Sequence, residues 1–461
     1  MTYQAEHVAS FFGERRDGLS HLDDAFGSLV IGDRASLGRR RADAQTVAVI
    51  GLGYVGLPTA LGLVAAGVRV LGVDVSASRL TEIAAGSVDS ASVDAWDLSR
   101  ALSMNSLELH DDIAAITAAD AVIICVPTPV DRSSVPDVTA LARACAEVVD
   151  RARPGQLIIL TSTTYVGCTR ALLTVPLEAR GFEVGRDITV AFCPERLNPG
   201  STSFAHDEVT RVIGGATPNC SAAAEQLLSK ISPDVHVVSS PEVAELSKLI
   251  ENTFRAVNIA LANEFAEASR VLGVDAVEAL DAAASKPYGF MAFHPGPGVG
   301  GHCIPCDPHY LLWRLRAEQV RSPLIEQAMA TLAARPEHVA DRAAELLAGR
   351  GLSVDGARIS LVGLSYKPGV QDVRESPSLA LAEILRGRGA IVSAHDPVVG
   401  RDVVDASGVS IPNTPAPSPE DLDLAVVMTL HPGVDHDWLS TAPLVLDATY
   451  RLERSERLVP L

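Results

Sequence analysis

The segment TVAVIGLGYVG at residues 46–56 constrains the fold of this chain more than any other. Its apolar start predicts a buried strand, and Gly51, Gly53 and Gly56 follow in a G-x-G-x-x-G spacing. The first glycine permits a tight turn, the second lets the backbone approach a pyrophosphate, and the third lets a helix pack on the strand. The N-terminus of that helix then faces the phosphates. The segment therefore predicts the opening of a dinucleotide-binding domain.

Further apolar runs, separated by alanine-rich helical stretches, predict the rest of a sheet. They lie at residues 68–75, 121–129, 156–164 and 188–195. The same order of strands and helices returns near the C-terminus, at residues 358–369, 390–397, 424–430 and 444–450. Strands that alternate with helices indicate parallel, doubly wound sheets. We therefore predict an α/β protein with two Rossmann-like domains.

A long helix is predicted between the two sheets, over residues 241–273. Its interior has neither proline nor glycine, while Pro241 suits a helix start and Gly273 a stop. The apolar residues with helical spacing are Leu246, Leu249, Ile250, Phe254 and Val257. Such a helix would be about 45 Å long, so it either bridges domains or packs on a partner subunit. We expect at least a homodimer.

These elements give four expected regions. They are an N-terminal extension at 1–44, a dinucleotide-binding Rossmann domain at 45–235, a central helical region at 236–335 and a second Rossmann-like domain at 336–461. The extension has weak periodicity, which favours a flexible or partly helical segment over a docking arm.

Charge and cysteine content exclude several classes of partner. A formal net charge of -19 argues against nucleic acid or an anionic membrane as the main partner. No apolar run approaches the ~20 residues that span a bilayer, and no signal peptide is recognisable. The cysteines are odd in number, at 7, and scattered through apolar segments, unlike those of a secreted disulfide scaffold. We expect a cytoplasmic protein.

The two Rossmann-like repeats predict different ligands. Asp74 ends the second strand, where a carboxylate suits a ribose 2′-hydroxyl and repels a 2′-phosphate, so NAD is favoured over NADP. The C-terminal repeat has Ser365, Tyr366 and Lys367 where the fingerprint needs glycines. A lysine there suits a phosphate, which indicates a second, nucleotide-like ligand.

The segment PGPGVGGHCIPCDPHY at residues 295–310 is predicted to be loop, and its C-x-x-C spacing leaves several interpretations open. Cys303 and Cys306 with His302 and His309 could bind zinc, although no second C-x-x-C pair follows. A thioredoxin-type pair would sit at a strand-to-helix junction, and a purely structural loop is a further alternative. We favour a nucleophilic thiolate, with glycines for access and Asp307 as a nearby base.

Several motifs in order resemble the UDP-glucose/GDP-mannose dehydrogenase family, over roughly residues 45–455. They are GLGYVGLP, CVPTP, STTYVG, CPERLNPG, SKLIENTFRAVNIALANE, KPYGF, PGPGVGGHCIPCDPHYL and GLSYKPGVQDVRESPS. KPYGF followed by PGPGVGGHCIP looks most like the branch that oxidises UDP-N-acetylglucosamine or UDP-N-acetylmannosamine for surface polysaccharides.

The resemblance implies a double oxidation of a UDP-sugar at C6. A first hydride leaves for NAD and gives an aldehyde, to which a thiolate adds. A second hydride then leaves the thiohemiacetal, and hydrolysis of the thioester gives a uronic acid. A UDP-glucose 6-dehydrogenase of the same family, and a non-catalytic regulator that binds NAD and nucleotide sugar, are the alternatives.

The resemblance also assigns roles to matched positions. The implied catalytic residues are the nucleophile Cys303, the oxyanion-stabilising Lys248 and Asn252, the water-activating Asp307, and Thr163 and Glu195, which position water and hydroxyl. The implied cofactor residues are Gly51, Gly53, Tyr54, Val55, Gly56, Asp74, Arg79, Val126, Pro127, Thr128, Thr163 and Arg374. The implied substrate residues are Glu195, Arg196, Leu197, Asn198, Lys248, Asn252, Arg255, Tyr288, Phe293, Gly300 and Lys367. No metal site is implied.

Three positions depart from the pattern of the family. Pro199 stands where UDP-glucose enzymes carry a second glutamate, and Val166 stands where relatives often have proline. Cys306 replaces an aliphatic residue or lysine. A thiol so close to the nucleophile could trap it as a disulfide under oxidation.

Overall fold

A computed structural model describes residues 45–88, 93–131, 133–196, 209–232, 234–405 and 407–461. The chain divides into Met1–Asp43 and Ala44–Leu461, and the described residues belong to the second unit. The predictions made for residues 1–44 and for Leu197, Asn198 and Pro199 lie outside the described residues.

The first sheet is formed by eight strands of the described chain. They are β1 (Thr46–Ile50), β2 (Arg69–Val73), β3 (Leu107–His110), β4 (Ala121–Ile124), β5 (Leu157–Leu160), β6 (Thr189–Phe192), β7 (Arg211–Gly215) and β8 (Val235–Val238). Their order is β3-β2-β1-β4-β5-β6-β7-β8. Strands β1 to β6 are parallel, whereas β7 runs antiparallel to β6 and parallel to β8. The sheet is thus not wholly parallel, contrary to the prediction.

Helices cover both faces of this sheet. They are α1 (Gly56–Ala65), α2 (Ala77–Ala84), α3 (Ala95–Ser103), α4 (Thr139–Arg151), α5 (Val175–Ala179) and α6 (Pro218–Leu228), with a 3-10 helix at Ile113–Ala118 and a π-helical turn at Arg170–Thr174. Strands β1, β4, β5, β6 and β7 are almost wholly buried, whereas the edge strands β3 and β8 are partly exposed. Separate apolar clusters lie on each face of the sheet. Burial of each Val, Leu or Ile side chain contributes about 1.5–3 kcal/mol relative to its exposure.

The central region is built on α7 (Pro241–Leu272), which has the predicted limits. The Ser240 hydroxyl accepts a hydrogen bond from the N–H of Val243 at the start, and Gly273 adopts the left-handed conformation at the end. The other helices of this region are α8 (Ala276–Ala284), α9 (Cys303–Ala317) and α10 (Pro323–Ala348). Helices α9 and α10 pack against α7.

The loop predicted for residues 295–310 is wrong for its second half, because α9 begins at Cys303. Pro305 is the third residue of the helix, where the backbone N–H has no partner within the helix in any case. Pro308 costs the helix one interior hydrogen bond, which packing against α7 offsets. Cys303 therefore stands at a helix N-terminus rather than within a loop.

The second sheet has the order β10-β9-β13-β14-β15, and all its strands are parallel. Its strands and the small hairpin beside it are β9 (Arg358–Val362), β10 (Ile391–His395), β11 (Val403–Val404), β12 (Ser410–Ile411), β13 (Leu424–Val427), β14 (Val445–Asp447) and β15 (Leu458–Pro460). Helix α11 (Pro377–Gly387) and 3-10 helices at Pro419–Asp421 and Asp437–Ser440 complete this part. The predicted class, α/β with two Rossmann-like domains and a long central helix, is confirmed.

Arg335 on α10 links the central helices to the second sheet. Only 1% of this side chain is exposed. It donates hydrogen bonds to the Gly296 carbonyl, to Glu267 on α7 and to the Tyr450 hydroxyl. Because a buried guanidinium needs all these acceptors, it fixes the segment that leads to Cys303.

Candidate active site

The three glycines of the turn between β1 and α1 differ in the space that a Cβ atom would have. Gly51 has φ +87°, and a Cβ there would lie 2.7 Å from the Cys125 carbonyl oxygen. A Cβ at Gly56 would overlap the Gly51 carbonyl group. A Cβ on Gly53 would meet no described atom within 4 Å. The first and third glycines are therefore required by packing, and the second borders open space that a pyrophosphate can approach.

Asp74 closes this turn from the end of β2. Its carboxylate accepts hydrogen bonds from the N–H of Leu52, at 2.8 Å, and of Ser76, at 2.9 Å. Arg79, on α2, donates to the Leu52 carbonyl and pairs with Glu82. The predicted residues Gly51, Asp74 and Arg79 are thus brought together around Leu52 of the turn.

The predicted nicotinamide side lies after β4 and β5. Val126 accepts a hydrogen bond from the Ser162 hydroxyl, beside Thr163, and Pro127 follows. The buried Thr128 accepts a hydrogen bond on its carbonyl oxygen from the Tyr310 hydroxyl of α9. Tyr310 was not predicted, although it lies two helical turns after Cys303. It fixes the helix that carries Cys303 against the β4 loop.

Cys303 is partly exposed at the first position of α9. Burial raises the pKa of its thiol, while the positive charges of Lys248 and Arg374 oppose that increase. The helix N-terminus also favours a thiolate. Burial and the same two cations lower the pKa of His302, the preceding residue, which is therefore neutral at physiological pH.

Lys248, Asn252 and Asp307 come together between α7 and α9. Asp307 is fully buried, and its Oδ2 accepts a hydrogen bond from the Asn252 amide. No described donor reaches the Asp307 Oδ1. Burial raises the pKa of Asp307 to about 6, although the Lys248 charge and the Asn252 hydrogen bond lower it. The carboxyl therefore has one oxygen held and one available to a small ligand such as water.

The residues after β6 are held by charged partners. Glu195 lies 3.7 Å from the Arg211 guanidinium and accepts a hydrogen bond from the N–H of Arg196. Arg196 makes two hydrogen bonds with Glu251 of α7 and a third with the Thr210 carbonyl. Arg196 therefore fastens this loop to α7. Neither of its partners was predicted.

Glu245 is a further buried carboxyl on α7, one turn before Lys248. It accepts hydrogen bonds from the N–H groups of Gly167 and Thr169 and from the Thr169 hydroxyl. Burial raises its pKa to about 7. It ties the segment that follows Thr163 to the face of α7 that carries Lys248. Sequence reasoning missed it, although its spacing from Lys248 placed it on the same helical face.

The second Rossmann-like domain meets the first at this site through Arg374. Its guanidinium lies 4.0 Å from the centre of the Tyr54 ring, in the glycine turn, and pairs with Asp372. The Arg374 carbonyl accepts a hydrogen bond from the N–H of Gly301. One short segment therefore contacts both the predicted cofactor turn and the loop before Cys303.

Gly300 and Gly301 allow that loop to lie against the second domain. A Cβ on Gly300 would be 2.7 Å from the Glu375 carbonyl oxygen, and one on Gly301 would be 2.8 Å from the Tyr366 ring. Gly300, predicted as a substrate residue, is thus required by packing on Tyr366. Tyr366 itself was not predicted to contact this loop.

The remaining predicted substrate residues are less closely grouped. Burial, followed by the charge of Arg255 on α7, lowers the pKa of Lys367. Phe293 packs edge-on against Phe254, with ring centres 5.9 Å apart. Tyr288 is exposed, and its ring contacts the Lys286 ammonium.

The described part of the chain was compared with the requirements of a metal site and of a membrane-spanning helix. It contains no group of three or more His, Cys, Asp and Glu side chains placed to hold a metal ion. It also contains no helix that is long and apolar enough to cross a membrane.

The fold and this site define an NAD-dependent dehydrogenase with a second nucleotide-binding domain. Models of the UDP-glucose/GDP-mannose dehydrogenase family match the chain in three parts: the NAD binding domain at residues 45–232, the central domain at 242–331 and the UDP binding domain at 360–454. The chain belongs to the UDP-glucose/GDP-mannose dehydrogenase family.

Similar proteins carry related names. A UDP-N-acetyl-D-mannosamine dehydrogenase of Pyrococcus horikoshii is 36% identical over 359 residues, which are 77% of this chain and 84% of the relative. A UDP-N-acetyl-D-glucosamine 6-dehydrogenase of Pseudomonas aeruginosa is 32% identical over 375 residues, 80% of this chain and 87% of the relative. The solved UDP-D-ManNAc dehydrogenase structure from Pyrococcus horikoshii superposes with a TM-score of 0.80 at 31% identity, covering 90% of this chain and 98% of that one. The family and the acetylhexosamine branch predicted from the motifs are confirmed, as is the cofactor, NAD.

Proposed function

We propose that this protein oxidises the C6 hydroxyl of a UDP-N-acetylhexosamine to the uronic acid in two NAD-dependent steps, for surface polysaccharide precursors. The observation that carries the proposal is the grouping of Cys303, Lys248, Asn252 and Asp307. The similarity to dehydrogenases named for UDP-N-acetyl-D-mannosamine and UDP-N-acetyl-D-glucosamine supports the choice of substrate.

The first oxidation requires a group that stabilises the oxygen as its proton leaves. Bound NAD accepts one hydride in each oxidation. The buried Lys248 ammonium supplies positive charge beside the reacting oxygen, and Asn252, one turn later on α7, donates to the same region. Thr163 and Glu195 position the hydroxyl and water.

The second oxidation requires a tetrahedral carbon, which a thiolate creates by adding to the aldehyde. Cys303 provides it, since Lys248, Arg374 and the helix N-terminus oppose the rise of its thiol pKa on burial. After the second hydride leaves, a thioester remains on Cys303. Asp307 then accepts a proton from the attacking water at Oδ1, which accepts no hydrogen bond from a described donor.

Two cations support a site for the diphosphate of the sugar nucleotide. Arg255 on α7 and Lys367 in the second domain lie near enough that burial and the Arg255 charge lower the pKa of Lys367. An anion bound between them would relieve this repulsion. In this proposal the region at 45–235 binds the cofactor, the region at 236–335 carries the catalytic helices, and the region at 336–461 binds the nucleotide of the substrate. The region at 1–44 is the N-terminal extension.

We further propose a homodimer through α7 and a cytoplasmic location. An exposed apolar stripe follows helical spacing along α7, with Leu246, Ile250, Phe254, Leu261 and Phe265 each at least 36% exposed. A second copy of the helix would bury this stripe. Static light scattering of the wild type and of Ile250→Glu tests the dimer, and equal masses at the monomer value would contradict it. The free thiols on all seven cysteines suit a reducing compartment.

A panel of sugar nucleotides tests the substrate. We expect NADH absorbance to rise with UDP-GlcNAc or UDP-ManNAc, with two NADH formed per sugar, and to stay low with UDP-GalNAc, GDP-Man and UDP-Glc. Turnover of UDP-Glc alone would contradict the assigned substrate. Binding of NAD and sugar nucleotide without any NADH would instead support a regulator. In Cys303→Ser we expect the overall double oxidation to be lost.

A further inference from the structure

Cys306 is the chemically reactive side chain of this region that the proposed reaction does not use. Cys303 is the first residue of α9, and Cys306 follows one turn later. From helix geometry, residues three apart have Cα atoms about 5 Å from each other. That separation lies inside the range of about 4.4–6.8 Å that a disulfide requires. The Cα separation therefore meets the requirement, and the first turn of α9 has to open slightly to bring the Cβ atoms from about 5–6 Å to the about 3.5–4.5 Å that the bond needs.

The two thiols differ in access and in charge environment. Cys303 is partly exposed, with the cations Lys248 and Arg374 nearby, so it is the thiol that a small oxidant reaches. Cys306 is 3% exposed, and burial raises its thiol pKa to about 12. It is shielded from direct oxidation yet follows Cys303 by one turn on the same helix, where residues three apart share a face, as a resolving thiol must.

The other cysteines of the chain do not share this arrangement. Each is at most 8% exposed and lies in the first domain: Cys125, Cys145, Cys168, Cys193 and Cys220. An oxidant in solution therefore meets Cys303 first.

We propose that Cys303 and Cys306 are a peroxide-sensitive modification site that closes into a reversible disulfide. The Cys303 thiolate attacks one oxygen of a peroxide, breaks the O–O bond and becomes a sulfenic acid, while the other oxygen leaves as hydroxide or alkoxide. The Cys306 sulfur then attacks the Cys303 sulfur. The S–O bond breaks, and water leaves with the Cys306 proton. The two sulfurs are each oxidised by one electron, and the peroxide is reduced.

Formation of the disulfide removes the thiolate that the proposed function needs and protects it from irreversible oxidation. Without a resolving thiol, a sulfenic acid proceeds to sulfinic and sulfonic acids. Pro305 stiffens the turn between the two cysteines, because its ring fixes φ near the helical value. The turn therefore keeps the two thiols close.

Peptide mapping tests the disulfide without any assumption about turnover. Trypsin cleaves after Arg270 and Arg314 but not between Lys286 and Pro287, so a single peptide carries Cys303 and Cys306 and no other cysteine. The full-length protein is treated with hydrogen peroxide, alkylated and digested. We expect this peptide to be unalkylated and about 2 Da lighter than its reduced form. Alkylatable thiols at both positions, or sulfinic acid on Cys303 in place of the bond, would overturn the proposal.

Activity with a matched pair of variants tests the protection. Dithiothreitol should restore nearly all activity of the peroxide-treated wild type and of Cys145→Ala, which loses a buried thiol elsewhere. In Cys306→Ala, active before treatment, we expect recovery below about a tenth, with sulfinic or sulfonic acid on Cys303. Equal recovery in Cys306→Ala and wild type would refute the role of Cys306. Absence of starting activity in every protein would count against the proposed function and leave the peptide result to decide the disulfide.

Discussion

Replacement of Asp307 by asparagine should stabilise the protein at neutral pH while it abolishes activity. Burial raises the pKa of Asp307 to about 6 from 3.8. Because the folded pKa lies above the unfolded one, the stabilising contribution of this group is fully present below pH 3.8 and is lost as the pH rises through 6. The difference of about 2 pKa units corresponds to roughly 3 kcal/mol. An asparagine amide cannot ionise, so the Asp307→Asn variant avoids this loss.

Urea unfolding at two pH values measures the effect. At about pH 8 we expect Asp307→Asn to be more stable than the wild type by about 3 kcal/mol. At about pH 5 the gain should fall to about half, because the wild-type carboxyl is by then largely protonated in the folded protein. A gain that does not change between these pH values, or no gain at the higher one, would refute the reasoning. Rescue of the lost turnover by alkaline pH would contradict the role of Asp307 as base.

Asp396→Asn is the matched control of opposite sign. Burial raises the pKa of Asp396, but hydrogen bonds from His431, Val399 and Leu364 outweigh it and lower the pKa to about 2. This stabilisation is present above the unfolded pKa of 3.8 and is lost as the pH falls through 2. Asp396→Asn should therefore lose about 2 kcal/mol at neutral pH, where Asp307→Asn gains.

Substitutions at the glycine turn and at two arginines give further tests. Gly56→Ala should destabilise the protein by about 3 kcal/mol or more, because its Cβ overlaps Gly51. Gly53→Ala should leave the melting temperature of the NAD-free protein unchanged. It should abolish the increase in melting temperature that NAD binding causes in the wild type. Arg374→Lys should raise the KM for NAD about 3- to 30-fold at unchanged melting temperature, because lysine loses the planar stacking on a ring. Arg335→Met should cost about 1–3 kcal/mol in unfolding measurements, since the Gly296 carbonyl loses its hydrogen bond, whereas Glu267 is partly exposed and keeps Arg270. An unshifted melting temperature in Gly56→Ala or Arg335→Met, or an unchanged KM in Arg374→Lys, would contradict the corresponding contact.

Local patterns in the sequence were sufficient for the elements with a strong period or strong end signals. Helix α7 was predictable to within a residue because Pro241 and Gly273 bound an uninterrupted helical pattern. Strands β3, β7, β8, β11, β12 and β15 were missed. Three of them, β11, β12 and β15, have only two or three residues, β3 (LELH) and β8 (VHVV) contain polar residues, and β7 (RVIGG) ends in two glycines. The antiparallel direction of β7 depends on tertiary pairing, which no local pattern carries. Helix α9 was obscured by Pro305, which a first turn tolerates, and by Pro308, which costs the helix one interior hydrogen bond.

The site was predictable where a motif is local and unpredictable where partners are remote. The glycine turn and Asp74 lie within one strand-turn-helix-strand unit, so spacing alone identified them. Asn252 and Asp307 lie 55 residues apart, and only the fold reveals that they share a hydrogen bond. Resemblance to the family gave a role to Arg374 but not its contact with Tyr54. The ion pair between Arg196 and Glu251 likewise depends on the packing of a loop against α7.

The two Rossmann-like domains use the acid at the end of their second strand in different ways. In the first domain Asp74 accepts hydrogen bonds from two backbone N–H groups and lies beside open space at Gly53. In the second, Asp396 accepts from four backbone N–H groups and also faces His431 at 3.2 Å. His431 accepts a hydrogen bond at Nδ1 from the N–H of Gly369, so its Nε2–H donates the hydrogen bond that the Asp396 carboxylate accepts. The acceptor positions of the Asp396 carboxylate are thus occupied by hydrogen bonds within its own domain, so this carboxylate cannot also bind a ribose. A duplicated strand-and-turn pattern therefore yields one dinucleotide site and one site whose ligand must be held by other groups, such as Lys367.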